Sequence, residues 1–210
     1  MTRPSSRSKP TLVLATLNPA KAQELKALLG DLPLEVLPLS EFPGARLPAE
    51  GESSYADNAL IKARAAALLS RTLALADDSG LEVDRLGGGP GVSSARYGGP
   101  AASDADRCAL LLDALRGVPA SERRARFRCV IALADPAGQE HVVEGVVEGW
   151  IALSPRGRGG FGYDPVFVYP PLDQTFAELP GDVKNQVSHR ARAILQARQL
   201  LSRWPPASRT

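Results

Sequence analysis

The sequence predicts an α/β protein built on a mixed β-sheet, and three observations carry the prediction. A short apolar, β-branched run, Thr11-Leu12-Val13-Leu14-Ala15-Thr16, passes directly into a capped helix start at Asn18-Pro19. A second apolar run, Leu73-Ala74-Leu75-Ala76, follows an alanine-rich helical stretch, repeating the alternation of strand and helix. Further on, strand-like segments follow one another with only turns between them, so the sheet is mixed.

Taken in order, the first strand covers Thr11 to Thr16. Asn18 caps the helix after it, and Pro19 sits in the first turn, where no amide bond is lost. Ala22, Leu25, Leu28 and Leu29 share one face, and Gly30 stops the helix. A strand, short loop and helix in this order aim backbone amides and a positive helix end at an anion. Ser54-Tyr55-Ala56-Asp57 resembles a capping box with Asp in the Glu position, and it opens a helix to about Leu69. The Leu73 to Ala76 strand comes next and ends at Asp77-Asp78-Ser79-Gly80. Ser103 to Leu115 reads as a third helix. Arg124, Arg126 and Arg128 alternate with Ala125, Phe127 and Cys129, a half-exposed strand that becomes buried at Val130-Ile131-Ala132-Leu133. Val142 to Val147 and Gly149 to Leu153 read as two more strands, with turns at Pro136-Ala137-Gly138 and Glu148-Gly149. A glycine-rich stretch, Pro155 to Gly162, leads into Tyr163-Asp164-Pro165. Ser188 caps a last helix through Leu201, ended by Pro205-Pro206. No internal repeat or long linker is present. Residues 1–10 read as a disordered tail, 11–204 as one domain, and 205–210 as a second tail.

Composition narrows the function. Of 210 residues, 44% are hydrophobic and 23% charged, proportions of a globular chain with a full core. A net charge of +2 is too small for a nucleic acid as the main partner, whereas small anions remain suitable. No window approaches the roughly 20 apolar residues of a membrane helix. Met1 to Lys9 is charged and has no apolar segment after it, so it is no secretory signal. The expected location is therefore the cytoplasm, with Cys108 and Cys129 reduced. Two Cys and two His (His141, His189) leave almost no basis for structural zinc, so any metal is expected on oxygen ligands, with magnesium favoured.

Several clusters carry chemistry. Asp77 and Asp78 lie beside a buried run, and ionised carboxylates there need partners, of which a hard dication is one. In an extended segment they point to opposite faces, so one faces a cleft while the other is held by backbone. Ser79 adds a hydroxyl. Thr16, Asn18 and Lys21 surround the helix start as phosphate partners, although the glycine spacing of a P-loop is missing. Glu50 and Glu52 precede the second helix, and either supplies a second carboxylate to the cation. Lys62 reads as a solvated helix residue within reach of a phosphate. Phe161, Gly162, Tyr163 and Asp164 suit a flat heterocycle, with a ring to stack on and a carboxylate for a ring N–H. His189 and Arg190 follow the Ser188 cap as donors for a carbonyl or phosphate oxygen, and Lys184 lies in the loop before them. An Arg this early in a helix opposes the dipole, which implies a compensating group. Arg123, Arg124, Arg126 and Arg128 read as a solvated face.

Six segments occur together in one order: Leu14-Ala15-Thr16-Leu17-Asn18-Pro19-Ala20-Lys21, Asp57-Asn58-Ala59, Ala76-Asp77-Asp78-Ser79-Gly80-Leu81, Pro90 to Tyr97, Gly160 to Pro165 and Ser188-His189-Arg190. On these the chain resembles the inosine triphosphate pyrophosphatase family, the bacterial dITP/XTP pyrophosphatases, from about Leu12 to about Leu200. The resemblance implies an elongated α/β fold with two lobes around a nucleotide cleft, a homodimer and Mg²⁺ dependence. It also implies hydrolysis of ITP, dITP, XTP or dXTP to the monophosphate and pyrophosphate. By the matched positions Asp78 would bind metal and accept the proton, with Glu50 as second ligand and Glu52 as the alternative. Thr16, Asn18 and Lys21 would handle the triphosphate, and Ser79, Phe161 to Asp164, Lys184, His189 and Arg190 would complete the nucleotide site. The approach to the second helix, Glu50 to Tyr55, is one residue shorter than usual, and Pro19-Ala20 replaces a small pair. Rival readings are a pyrophosphatase for other modified nucleoside triphosphates and a non-catalytic nucleotide-binding module.

Overall fold

Residues 9–204 are described by the structure, a computed structural model. The two expected tails fall almost entirely outside that range. Pro10, placed in the first of them, is tied to the sheet because its carbonyl accepts from Glu35 N at 2.9 Å.

Strand β1 (Thr11–Leu14) feeds helix α1 (Pro19–Leu29), whose Asn18 side chain accepts from the amides of Ala20 and Lys21. Such a cap stabilises a helix by about 1 kcal/mol. Gly30 ends the helix as expected, yet with φ of −66°, so the stop does not use a left-handed glycine. The chain returns in β2 (Glu35–Pro38), a strand the sequence did not announce because Pro33 and Pro38 bracket it. Helix α2 (Tyr55–Ser70) is capped by Ser54, but only half of the expected box forms. Asp57 accepts from the hydroxyls of Ser53 and Ser54 instead of a cap amide. The complete box is at α3 (Asp104–Ala114), between Ser103 and Asp106.

Three expected boundaries are corrected. Strand β3 runs from Leu73 to Val83, so Asp77 and Asp78 lie mid-strand and do not close it. Strand β4 (Arg124–Ala134) is followed by one long β5 (Glu140–Ile151), in place of two strands with a turn at Glu148-Gly149. Gly149 serves close approach: a Cβ there would lie 2.3 Å from the Val168 carbonyl and 2.6 Å from the Phe167 ring. After β6 (Phe167–Tyr169) and β7 (Gln174–Thr175), Lys184 sits in a short helix, α4 (Gly181–Val187), where a loop was expected. Helix α5 (His189–Leu201) follows directly, capped by Ser188.

The seven strands form one sheet in the order β2-β1-β3-β4-β5-β6-β7. β2, β1 and β3 are parallel, and every pairing from β3 onward is antiparallel. The crossover through α1 leads from β1 to β2, and the one through α2 leads from β2 back past β1 to β3. The direction thus reverses at β1, and its carboxyl end is a topological switch point, where ligands bind open α/β sheets. β1 pairs only with Leu73 to Leu75 of β3. From Asp77 onward β3 has β4 on one side and, among the described residues, no strand on the other. One face packs α2 through Ala59, Ala63, Ala66 and Ala67 against Ala74, Ala76 and Val130. The other packs α1 and α5 through Leu25, Ile194 and Ala197 against Leu75, Cys129 and Ile131. A third cluster around Phe127, Phe167 and Phe176 fills the far half of the sheet. Gly145 lets α5 lie directly on β5, since a Cβ there would come within 2.2 Å of the His189 carbonyl oxygen. Among the described residues no helix is long and apolar enough to cross a membrane.

Candidate active site

A cavity of about 520 Å³ opens beside the switch point, within the range of small-molecule sites. Of the predicted substrate residues, Asn18, Lys21, Ser79, Phe161, Gly162, Tyr163, Asp164, Lys184, His189 and Arg190 border it. Thr16 does not; it is buried, and its hydroxyl accepts from Asn18 N at 3.2 Å, shaping the loop instead.

Alternation along β3 sends the two acids to opposite faces. Asp77 faces α1 and α5. Its Oδ2 lies 3.0 Å from Lys21 Nζ and 3.3 Å from Arg190 Nη2, and it accepts from Ser79 Oγ at 3.0 Å. Its Oδ1 is buried with no partner among the described residues. Burial opposes ionisation, but Lys21, Arg190 and Lys62 outweigh it and hold the carboxyl well below the usual carboxylate range. Asp78 faces α2, accepting from Asn58 Nδ2 at 3.0 Å, with Lys62 Nζ 3.5 Å away. Here burial dominates and raises the carboxyl, only partly offset by Lys62 and Asn58, while Glu50 pushes it further up. Of the pair, Asp78 is the better proton acceptor.

Glu50 joins Asp78 through Lys62, whose ammonium lies 2.6 Å from Glu50 Oε1. Lys62 is buried, correcting its expected place on a solvated face. Asn58 ties the same loop down, accepting from Gly51 N and donating to its carbonyl. Arg96 holds the loop from outside, at 3.2 Å from Glu50 Oε2 and 3.1 Å from the Gly51 carbonyl. Glu52 is exposed, so the geometry brings Glu50, not Glu52, to Asp78. Among the described residues no three His, Cys, Asp or Glu side chains converge as a ready cage. A pair of carboxylates completed by water and phosphate oxygens is the donor set magnesium accepts. The residues fit that ion.

A second charge network crosses the far wall. Glu24 of α1 bridges Lys184 Nζ at 2.7 Å and Arg190 Nη1 at 2.5 Å. It is the compensating group that Arg190 required, together with Asp77. Nothing in the sequence singled Glu24 out beyond its place one turn after Lys21. Arg190 is fully buried, with Nη1 bound to Glu24 and Nη2 to Asp77, while its Nε has no partner among the described residues. Asp164 Oδ2 accepts from Lys184 Nζ at 2.5 Å and from Phe161 N at 2.9 Å, which ties the carboxylate to α4 and to the Phe161 loop. Tyr163 is largely core, its hydroxyl donating to the Ser94 carbonyl at 2.8 Å. Phe161 keeps one ring face near Lys184 Nζ, 4.8 Å from the centroid.

His189 stacks on Phe127 with centroids 4.6 Å apart and planes 11° from parallel. Burial, with Arg190 and Lys184 adding to it, pushes its imidazole well below the usual range, so it is neutral near pH 7. Of the arginines expected on a solvated face, Arg126 and Arg128 pair with Glu82, Asp84, Glu144 and Glu148. Arg123 is buried and donates to the carbonyls of Leu115, Val118 and Ala152.

Comparison with other proteins gives one consistent picture. The Ham1 family matches residues 12–200. A dITP/XTP pyrophosphatase of Desulforamulus reducens is 51% identical over 192 residues, covering 91% of this chain and 96% of that one. One from Thermus thermophilus is 47% identical over 195 residues, 93% of each chain. The solved structure of a HAM1 protein from Coxiella burnetii superposes with a TM-score of 0.83 at 43% identity, covering 93% of this chain and all of that one. The mixed sheet, the flanking helices and the motifs around β1, β3 and α5 thus place this chain in the Ham1 family.

Proposed function

We propose that the chain hydrolyses the non-canonical purine nucleoside triphosphates ITP, dITP, XTP and dXTP to the monophosphate and pyrophosphate, with Mg²⁺, in the cytoplasm and as a homodimer. The relatives' names support the activity, and the observation that carries its mechanism is the split of Asp77 from Asp78 across one strand. Asp78, raised by burial, orients a water and takes its proton as the water oxygen attacks the α-phosphorus. The bond from that phosphorus to the bridging oxygen of the pyrophosphate breaks, and the leaving group departs with its negative charge. Lys21, on the first turn of α1, would be the cation that meets that charge. A magnesium ion held by Asp78 and Glu50 would supply charge neutralisation on the phosphate oxygens. At the other end, Phe161 offers a stacking face, and neutral His189 offers one N–H to a 6-oxo group. Adenine presents a donor at that position and leaves a buried group unpaired.

The test is incubation with ITP, XTP, GTP and ATP, with and without Mg²⁺, followed by assay of pyrophosphate. Release from ITP and XTP, dependent on Mg²⁺ and well above that from ATP, is expected. Orthophosphate as the product, or equal rates on all four, would overturn the reading. Light scattering checks the dimer.

A further inference from the structure

The wall formed by α3 has no role in the reaction as described so far. Arg107 and Asp104, one turn apart on α3, border the cavity on the side of the Phe161 loop. Asp104 Oδ2 accepts from Gly162 N at 2.7 Å, and Cys108 Sγ lies 3.4 Å from the Gly162 carbonyl oxygen, so α3 is fastened to the loop that carries the stacking ring. Arg107 Nη1 lies 3.0 Å from Asp104 Oδ1. That is the one hydrogen bond the described residues give this guanidinium, and its Nε is buried without a partner. The side chain is only 15% exposed. A largely buried guanidinium with donors left over, on the wall of a cavity, is a recognition group seeking an acceptor.

We infer that Arg107 is a specificity-determining residue that reads position 2 of the purine, favouring the 2-oxo group of xanthine nucleotides and rejecting the 2-amino group of guanine nucleotides. The inference rests on the function proposed above and supplies what that function lacks. Guanine shares the 6-oxo group with inosine and xanthine, so a donor at position 6 cannot exclude it. Positions 6 and 2 flank N1 on one edge of the ring, and a base stacked on Phe161 would turn that edge to the cavity wall. Xanthine offers an acceptor there, inosine a bare C–H, and guanine two N–H groups. A guanidinium bonds the first, tolerates the second and repels the third. Asp104 would otherwise welcome guanine's amino group, but Arg107 and Gly162 engage its two oxygens. Arg107 therefore acts twice, as donor to xanthine and as mask over an acceptor for guanine.

Arg107→Ala and Arg107→Lys are compared with the unaltered chain in kcat/KM for XTP, ITP and GTP, and in calorimetric binding of XMP and GMP. In Arg107→Ala the XTP-to-GTP ratio should fall by about 10-fold or more, the scale of one charged hydrogen bond. XTP should decline, GTP should rise, and ITP should change less than either. The lysine variant, keeping a cation without the fork, should lie between. Parallel loss on all three substrates, or an unchanged ratio, would assign Arg107 a structural role and overturn the inference. If the unaltered chain hydrolysed none of the three, the proposed function would fail first. Binding of XMP against GMP would still judge Arg107, with an unaltered preference in the alanine variant counting against it.

Discussion

On one face of β3, Asp77 meets Lys21, Arg190 and Ser79; on the other, one residue later, Asp78 meets Asn58 and, at 3.5 Å, Lys62. The first carboxylate is surrounded by cations that fix its charge and link α1 to α5. The second is buried with less compensation and shares its nearest cation with Glu50. Identical chemistry thus serves two ends: Asp77 holds the walls together, and Asp78 stays reactive because little holds it. A strand makes this division possible, since its successive side chains point to opposite faces, whereas a helix would turn neighbours apart by only about 100°.

The largest effect expected from breaking this contrast is on turnover. Asp78→Asn should lower kcat by about 100- to 10,000-fold, the usual contribution of a general base, while the melting temperature changes little. Near-normal kcat would remove Asp78 from proton transfer. Asp77→Asn should do the reverse in kind. It leaves Lys21 and Arg190 facing a neutral group and should cost about 3 to 5 kcal/mol of stability by chemical denaturation. A stability loss under 1 kcal/mol would show that the network is not structural.

Acid sharpens the same comparison. His189 is held neutral in the fold, so its contribution is complete above the ordinary histidine value and declines as pH falls below about 6.5. Asp77 is held ionised, so its contribution is complete above the ordinary carboxylate value and declines as pH falls below about 4. Melting temperature against pH should therefore drop in two stages, and Asp77→Asn should weaken only the second. The smallest effect concerns the base: His189→Ala should narrow the ITP-to-ATP ratio in kcat/KM by about 10-fold, the scale of one buried hydrogen bond left unmade. An unchanged ratio would move discrimination away from His189.

Local signals made much of this legible. Asn18-Pro19, Ser103 and Ser188 mark helix starts because a cap is written in the residues that form it. Alternation told that Asp77 and Asp78 would diverge, though not how far β3 runs past them. What the sequence hid depends on distant partners. Lys62 looks like any solvated lysine until Glu50 and Asp78 are folded over it, and Arg123 looks exposed until three carbonyls surround it. Gly149 reads as a turn because the carbonyl and ring that crowd it come from β6, 18 and 19 residues away in the chain. Glu24 and Arg107 carry no local mark of function, since each acquires its role only from another helix or loop.

Gly145 shows how far such remote geometry reaches. The seat it leaves for α5 sets the height of His189 and Arg190 above the sheet, and with it the gap between the ring-reading end of the crevice and the acid that grips the helix. A single methyl group added to β5, remote from every reacting atom, would lift that helix and lengthen the ruler against which the nucleotide is measured.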